Sequence, residues 1–238
     1  MRVELLRGTE SPERLSCRCA RGDYSDQWVG SDRSFADIME PVEGETIDDK
    51  IETLLSHCYS RGHHGVFEHS TATFAVERIS RSCMAQLTRH RHGSYDVQSL
   101  RYTELDDDPE DLMLSPPSFN EDQVVSREGG VTEFGVDGNA RRKMANEAYE
   151  KAIEAYGDLI DAGVPKEDAR MVLPLGTTVN LTFTMNARSL MHLLDMRLKA
   201  DAQWEIRDLC NLLLDECREW MPITFEIYDQ KRPNKLTP

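Results

Sequence analysis

The feature that most constrains the fold is a change of hydrophobic period at Asn186. Residues 179–185 alternate between apolar and polar side chains, as expected of a half-buried strand whose successive side chains point to opposite faces. The apolar positions are Val179, Leu181, Phe183 and Met185. Asn186 is a favoured helix N-cap residue, and the pattern from there to Arg197 predicts a helix. A strand that passes directly into a helix predicts a fold with both a sheet and helices, and together with the elements described next it indicates the α+β class.

Other segments add helices and strands in an irregular order. The patterns predict helices over residues 46–62, 82–88, 139–162 and 200–220, and strands over residues 1–7, 71–77 and 223–228. Residues 104–138 combine prolines, glycines and charge with little periodicity, and we expect an irregular loop or insertion there. The 238 residues suit one large domain. We therefore predict a single domain over residues 1–238, with a central, mostly antiparallel sheet flanked by helices.

The charge balance is strongly acidic. Asp and Glu number 43 against 28 Lys and Arg, which gives a formal net charge of −15. Such a surface repels nucleic acid and anionic membranes, so we expect neither as a partner. General surface acidity favours solubility, whereas dense carboxylates also suit a high-salt habitat, where repulsion between them is screened. Both interpretations stay open, and loss of folding at low salt would favour the second.

The chain has the features of a cytoplasmic protein. It contains no apolar run long enough to span a bilayer, and no basic segment followed by an apolar one opens it. Its six cysteines include no Cys-x-x-Cys pair, so we expect reduced thiols in the core rather than a disulfide framework.

Cationic side chains cluster in residues 89–102. The segment places several guanidiniums and two imidazoles within fourteen positions of an otherwise acidic chain. They are Arg89, His90, Arg91, His92 and Arg101. A guanidinium grips phosphate through two parallel hydrogen bonds and keeps its charge, so the cluster indicates a bound anion. A network of salt bridges with neighbouring carboxylates is the alternative.

Two further segments also contain cationic side chains that could bind an anion. Arg170 lies in the stretch 168–174, and Arg188 and His192 share one face of the helix that Asn186 caps, four residues apart. The amide groups at such a helix start suit an anion or an electron-rich ring. An ordinary capped helix with surface arginines is the alternative.

A metal site is a third interpretation. His63, His64, Glu68 and His69 lie close together in the chain, and His64 and Glu68 would face each other in a helix. Gly62 and Gly65 interrupt the segment, however, and no further ligand is fixed by spacing, so we predict no metal. A metal-dependent nucleotide hydrolase is the function that this interpretation would imply.

The segment from Arg89 also resembles a known family. Arg89-His90-Arg91, seven residues and then Ser99 match the signature of flavin-dependent thymidylate synthases. Gly62-His63, Phe67-Glu68-His69, Gln86 and Ser99-x-Arg101-Tyr102 resemble its neighbouring motifs. Downstream, the resemblance continues through Ala169-Arg170, Leu173-Pro174, Asn186-Ala187-Arg188-Ser189-Leu190, Arg197 and Ala202-Gln203-Trp204-Glu205-Ile206. It covers about residues 45 to 228.

The resemblance implies an enzyme that reductively methylates dUMP to dTMP. The family takes carbon from 5,10-methylenetetrahydrofolate, uses FAD as hydride carrier and NADPH as reductant, and is a homotetramer whose sites lie where subunits meet. The family pattern carries residues over to three roles. The dUMP ligands are Gln86, Arg89, Ser99, Arg101, Arg170 and Arg197; the FAD contacts are His63, Arg89, His90, Arg91, Asn186, Arg188 and His192; and Arg197 is the catalytic residue that favours ionisation of the uracil ring.

Some positions leave choices open. Ser99 resembles a nucleophile by its place in the motif, but a hydroxyl needs a neighbouring base, so orienting dUMP is the preferred role. Asp96, Val97, Asp201 and His192 depart from residues common in the family, which puts contacts there in doubt. A non-catalytic nucleotide- or phosphate-binding protein is the alternative function, because it would explain the arginines without a flavin.

Overall fold

A four-stranded antiparallel sheet forms the centre of the fold. The computed structural model describes residues 1–26, 28–103, 112–120, 123–125, 131–133 and 135–231. Its strands are β1 Arg2–Gly8, β2 Thr71–Ser80, β3 Gly93–Val97, β4 Gln123–Val125, β5 Val131–Glu133 and β6 Thr178–Asn186. The central sheet has the order β1-β2-β6-β3, and every neighbouring pair is antiparallel. Strands β4 and β5 pair with each other in a separate two-stranded sheet.

Helices surround one face of this sheet. Within the described residues the α-helices are α1 Pro12–Asp23, α2 Phe35–Met39, α3 Ile47–Ser60, α4 Arg81–Leu87, α5 Pro117–Asn120, α6 Gly138–Asp161, α7 Lys166–Ala169, α8 Ala187–Arg197, α9 Trp204–Trp220 and α10 Pro222–Lys231. Two 3₁₀ helices span His64–Glu68 and Arg170–Val172. Helix α9 packs against β1 and α4, and α10 packs against α3 and α9. The α+β class and the antiparallel sheet that we predicted are confirmed.

Strand β6 is a central strand with one buried face. Val179, Leu181, Phe183 and Met185 are all buried, whereas the residues between them are partly or fully exposed. Phe183 lies opposite Phe74 of β2 and Tyr95 of β3, and its ring centroid is 5.3 Å and 5.9 Å from theirs. This row of three rings links β2, β6 and β3 on the helix-covered side of the sheet. Aromatic pairs add packing energy beyond the area that they bury, so the row stabilises the central strands.

The opposite face of the sheet is polar. Thr73 of β2 and Thr184 of β6 are paired across the strands, and their hydroxyl oxygens are 2.8 Å apart. Ser94 and Asp96 of β3 continue this exposed surface. The alternation of apolar and polar residues therefore fixes which face of β6 meets the helices.

Most predicted helices and strands form within a few residues of their expected ends. Helix α3 begins with a capping box, in which Thr46 and Asp49 exchange hydrogen bonds through their side chains and backbone amides. It ends just before Gly62, whose φ of 77° is a left-handed conformation that favours glycine. Helix α9 buries Ile206, Leu209, Leu213 and Cys217, as its helical spacing predicted.

The predicted strand over residues 223–228 is wrong. This segment lies in helix α10, Pro222–Lys231. Pro222 stands in the first turn, where its fixed φ suits a helix and its missing amide hydrogen costs nothing. The buried residues Thr224, Phe225, Ile227 and Tyr228 follow a helical spacing and not a period of two. Short apolar runs are ambiguous between the two structures, and packing against α3 and α9 decides here.

The stretch over residues 104–138 is more regular than expected where it is described. It contains α5, β4 and β5. The acidic run over residues 104–111 lies outside the described residues, and the expectation of an irregular loop there stays a prediction.

Helix α6 leaves part of its apolar stripe uncovered. Tyr156 is buried, but Met144 is 66% exposed and Ala148 is also exposed. Helix α6 packs against α5, α7 and the 3₁₀ helix Arg170–Val172. Met171 of this 3₁₀ helix and Leu175, in the turn that follows it, are 81% and 71% exposed. An apolar surface thus runs beside Arg170.

The cysteines are free thiols. Cys17, Cys58, Cys83, Cys210 and Cys217 are buried, and Cys19 is half-buried. Burial raises the pKa of each of these thiols, so they are protonated packing residues. Among the described helices, none is both long enough and apolar enough to cross a membrane.

Replacement of the central ring tests the role of the aromatic row. Phe183→Ala removes a side chain that is 1% exposed, and we expect the free energy of unfolding to fall by about 3–5 kcal/mol. The neighbouring variant Thr182→Ala, on the polar face, should change it by about 0.5 kcal/mol or less. Chemical denaturation measures both, and equal effects would contradict the assignment of the two faces.

Candidate functional site

The junction between β6 and α8 forms one wall of the candidate site. The Asn186 side-chain oxygen accepts the Ser189 amide at 2.8 Å and so caps α8. The N–H groups of the first turn give this helix start a partial positive charge. Along the helix, Arg188, His192 and Met196 recur every four residues and line one face.

The segment 88–92 forms the facing wall. It follows α4 and leads into β3, whose first residue pairs with Met185, next to Asn186. Gly93 permits this approach, because a Cβ there would lie 3.2 Å from the Thr184 carbonyl oxygen and 2.8 Å from the Met185 methyl carbon. Pairing of β3 with β6 therefore places residues 89–92 beside the start of α8.

Tyr95 holds the turn that carries these residues. Its hydroxyl donates to the carbonyl oxygens of Leu87, at 3.1 Å, and His90, at 2.7 Å. Burial raises the pKa of Tyr95 to about 12, so the hydroxyl keeps its proton and remains a donor.

A cavity of about 760 Å³ opens between the two walls. Its lining residues come from the 3₁₀ helix His64–Glu68, the segment 89–92 and the β6–α8 junction. They are His64, Glu68, Arg89, His90, Arg91, His92, Met185, Asn186, Arg188, Ser189, His192, Met196 and Arg197. This volume is in the range of small-molecule and cofactor sites.

The lining is cationic although the whole chain is acidic. Four arginines face one carboxylate, Glu68, which forms an ion pair with Arg188. Three arginines of the lining thus remain to balance a bound anion, together with the positive end of α8. Positive charge that is concentrated in a concave site binds an anion more strongly than the same charge scattered over the surface.

Arg197 is fixed at the floor of this site by two hydrogen bonds. Its Nε donates to His90 Nε2 at 3.0 Å, and its Nη2 donates to the Gln86 carbonyl oxygen at 3.2 Å. Burial, and then the nearby Arg197, His192 and Arg89, lower the pKa of His90 to about 4. His90 is therefore neutral near pH 7 and can accept the Arg197 hydrogen.

Six of the seven predicted FAD contacts line the cavity, and one lies elsewhere. Arg89, His90, Arg91, Asn186, Arg188 and His192 all line the cavity. His63 is not among the lining residues, and its ring stacks on Tyr24, with a hydrogen bond between the Tyr24 hydroxyl and His63 Nδ1.

Three of the four side chains of the metal interpretation have other partners, including His63, which stacks on Tyr24. His64 is buried, its Nε2 lies 3.2 Å from the Tyr59 carbonyl oxygen, and burial lowers its pKa. Glu68 pairs with Arg188. Across the part of the chain that the structure describes, no group of three or more His, Cys, Asp and Glu side chains is arranged to hold a metal ion.

The predicted dUMP ligands fall into two groups. Arg89 and Arg197 line the cavity. Gln86 is not among the lining residues, but its carbonyl oxygen accepts a hydrogen bond from Arg197, and its side-chain amide donates to Gln203 at 3.5 Å. Ser99, Arg101 and Arg170 form the second group, which we call the distal cluster. There, Arg101 pairs with Glu167 at 2.8 Å, and Arg170 Nε donates to the Glu167 carbonyl oxygen at 3.1 Å. The Ser99 hydroxyl accepts the Arg101 amide at 3.3 Å.

The distal cluster lies at the other end of β6. Gln98, just before Ser99, exchanges hydrogen bonds with Asn180, whereas the cavity adjoins Asn186. Asn180 lies six positions before Asn186, about 20 Å along the strand at the usual rise. The distal cluster and the cavity therefore lie toward opposite ends of β6.

Several lining residues were missed from the sequence. Met196 follows His192 by one helical turn, so the spacing that paired Arg188 with His192 could have found it. Ser189 lies in the first turn of the helix that Asn186 caps. His92 was placed in the cationic segment from the sequence but was given no ligand role there. By contrast, Tyr95 and Met185 contribute through strand pairing, which no local pattern reveals.

The lowered pKa of His90 gives the stability a definite dependence on pH. The unfolded chain binds the proton at about 6.5, the ordinary value, and the folded chain only at about 4. Protonation on acidification therefore favours unfolding, and the free energy of unfolding should fall as pH drops from about 7.5 to about 5.5. Urea denaturation measures this, and His90→Gln should reduce the fall. An equal fall in both proteins would contradict the assignment.

Comparison with known proteins agrees with this arrangement. The family model described as thymidylate synthase complementing protein matches residues 4–223. Flavin-dependent thymidylate synthases of Halobacterium salinarum and Haloarcula marismortui are 49% and 48% identical to this chain over 248 aligned positions, with 100% of each chain covered. Among solved structures, the UMP/dUMP methylase PolB of Streptomyces cacaoi, bound with 5-Br dUMP, has a TM-score of 0.76 at 27% identity and covers 96% of this chain and 94% of its own. The chain belongs to the flavin-dependent thymidylate synthase family.

Proposed function

We propose that the cavity holds FAD and the uracil ring of dUMP, and that the protein reductively methylates dUMP to dTMP there. The chain is a member of a family of enzymes with this activity, and a dUMP methylase shares its fold. The observation that carries the placement is the cationic cavity at the β6–α8 junction of a chain with a net charge of −15.

The residues present fit a flavin nucleotide. The cavity is large enough for a substantial part of such a cofactor, and it combines a capped helix start with arginines that suit a pyrophosphate. Arg91 and Arg188 together with Asn186 would hold it, and His90 and His192 lie beside them. Bound FAD supplies hydride that originates from NADPH, while 5,10-methylenetetrahydrofolate supplies the carbon.

Arg197 is the residue to which we assign electrostatic activation. Its two hydrogen bonds, to His90 and the Gln86 carbonyl oxygen, use two of its five N–H groups. The remaining donors can meet the cavity, where a fixed cation stabilises negative charge as the uracil ring ionises. Since the guanidinium is already held, little reorganisation is needed when that charge develops. Gln86 and Arg89 are the adjacent ligands for dUMP.

We further propose that the active protein is a homotetramer with shared sites. The distal cluster of Ser99, Arg101 and Arg170 follows the residue that pairs with Asn180, about 20 Å along β6 from Asn186, so we expect it to complete the cavity of a neighbouring subunit. The exposed apolar residues Met144, Met171 and Leu175 lie on elements packed next to Arg170 and would be covered by such a contact.

In this arrangement Arg101 and Arg170 take the phosphate of dUMP, and Ser99 orients it. Ser99 also holds its own turn, because its carbonyl oxygen accepts the amides of Tyr102 and Thr103. The Ser99 hydroxyl itself accepts the Arg101 amide, and a hydroxyl held beside two guanidiniums suits positioning better than nucleophilic attack. Free, protonated thiols suit a reducing cytoplasm, where we place the enzyme.

An anaerobic turnover assay tests the reaction. Purified protein should be yellow and show flavin absorbance. After reduction with NADPH, addition of dUMP and 5,10-methylenetetrahydrofolate should yield dTMP, detected by chromatography. Omission of the folate is the control and should give none. Flavin bound without dTMP formation under these conditions would overturn the proposed function.

Complementation between two variants tests the shared site. Arg197→Ala disables the cavity and Arg170→Ala disables the distal cluster, so each alone should lose most dTMP formation. Co-expressed subunits that assemble at random should recover roughly a quarter of the sites, because each half is intact in half of the subunits. Two variants of the same cluster, Arg197→Ala and Arg89→Ala, are the control and should not complement. No recovery in the first pair would place each site within one chain.

A further inference from the structure

His90 contacts Arg197 through one specific ring nitrogen, Nε2. The Arg197 Nε carries one hydrogen, and it points at His90 Nε2 at 3.0 Å. Because a guanidinium is never an acceptor, His90 Nε2 must be the lone-pair nitrogen of a neutral ring. The proton of the ring then lies on Nδ1. The geometry thus specifies one tautomer.

Two backbone hydrogen bonds hold His90 in place, and its ring packs against a second histidine. Its backbone amide donates to the Leu87 carbonyl oxygen at 3.1 Å, and its carbonyl oxygen accepts the Tyr95 hydroxyl at 2.7 Å. The ring edge faces His192, with centroids 6.0 Å apart. A ring fixed in this way offers an acceptor at a defined position.

We propose that His90 is a positioning residue for Arg197, its neutral imidazole fixing the plane of the guanidinium toward the cavity. The second hydrogen bond, from Nη2 to the Gln86 carbonyl oxygen, lies on the same edge of the guanidinium. Because Nε donates to one acceptor and the neighbouring Nη2 donates to the other, the two bonds fix both the position and the rotation of the planar guanidinium. The remaining Nη1 edge is then directed away from both acceptors.

This role differs from the direct flavin contact that the family resemblance implied. A direct contact predicts that loss of the imidazole weakens FAD binding. Positioning predicts that the loss acts on turnover and only through Arg197. The inference rests on the proposed function for its consequence in turnover, whereas the hydrogen bond itself can be measured without turnover.

The first experiment observes the tautomer. Protein labelled with ¹⁵N in histidine, with His90 assigned by comparison with His90→Gln, should show an unprotonated Nε2 and a protonated Nδ1 at neutral pH. In Arg197→Ala the pKa of His90 should rise, because both the donor and the neighbouring positive charge are gone. A protonated Nε2 in the unaltered protein would overturn the proposal, whatever the assay for dTMP gives.

The second experiment separates positioning from cofactor binding in FAD-loaded protein. His90→Leu should lower kcat on the order of 100-fold, as expected for a misplaced catalytic group, and change the FAD dissociation constant less than about threefold. His90→Gln can present its amide oxygen where Nε2 lies and should stay within about tenfold of the unaltered kcat. His57→Leu, on the exposed face of α3, is the matched control and should leave both constants unchanged.

A double-mutant cycle completes the test. In an Arg197→Ala background, His90→Leu should lower kcat by less than about twofold, because its effect passes through the missing guanidinium. Full additivity of the two losses, or a main effect on FAD affinity, would overturn the positioning role. If the unaltered protein makes no dTMP, the proposed function fails, and the nitrogen spectra alone then confirm or overturn the His90–Arg197 bond.

Discussion

The pairing of β3 with β6 is the contact on which the site depends. It sets Gly93 opposite Met185 and thereby brings the cationic segment 89–92 against the start of α8. The same pairing aligns Tyr95 with Phe183, so the stacked aromatic rings support the register from within the core. A slip by one residue would turn Tyr95 outward and release the turn that carries His90. Core packing and site geometry are therefore parts of one arrangement.

Electrostatics then gives the site its chemistry. Four arginines surround one cavity of this acidic chain, and their hydrogen-bond partners differ in charge. Arg188 is paired with Glu68, and Arg197 is held by neutral acceptors. A carboxylate partner would lower the net charge that Arg197 offers to a ligand, whereas an imidazole and a carbonyl oxygen fix its position without neutralising it. Burial keeps His90 uncharged and so preserves this arrangement at neutral pH.

Local sequence patterns were enough to predict an element whose hydrophobic period and capping residues lie within its own segment. The alternation of β6, the Asn186 cap and the capping box of α3 were all readable, because hydrophobic period and capping depend on neighbours in the chain. The pattern failed at α10, where an apolar run suits either a strand or a helix and tertiary packing decides. The exposed stripe of α6 shows the converse, since a helical period is visible without revealing what covers it.

Residue type and spacing were enough to predict the fold class, the cationic segments and the family resemblance. Which of those residues meet depends on how the chain folds in three dimensions. The tertiary structure joined Arg89, Asn186 and Arg197 around one cavity, and it placed Ser99, Arg101 and Arg170 at the far end of β6. The physical reason is strand pairing: residues distant in sequence become neighbours through register, while residues ten apart, such as Arg89 and Ser99, are carried to opposite ends of a strand.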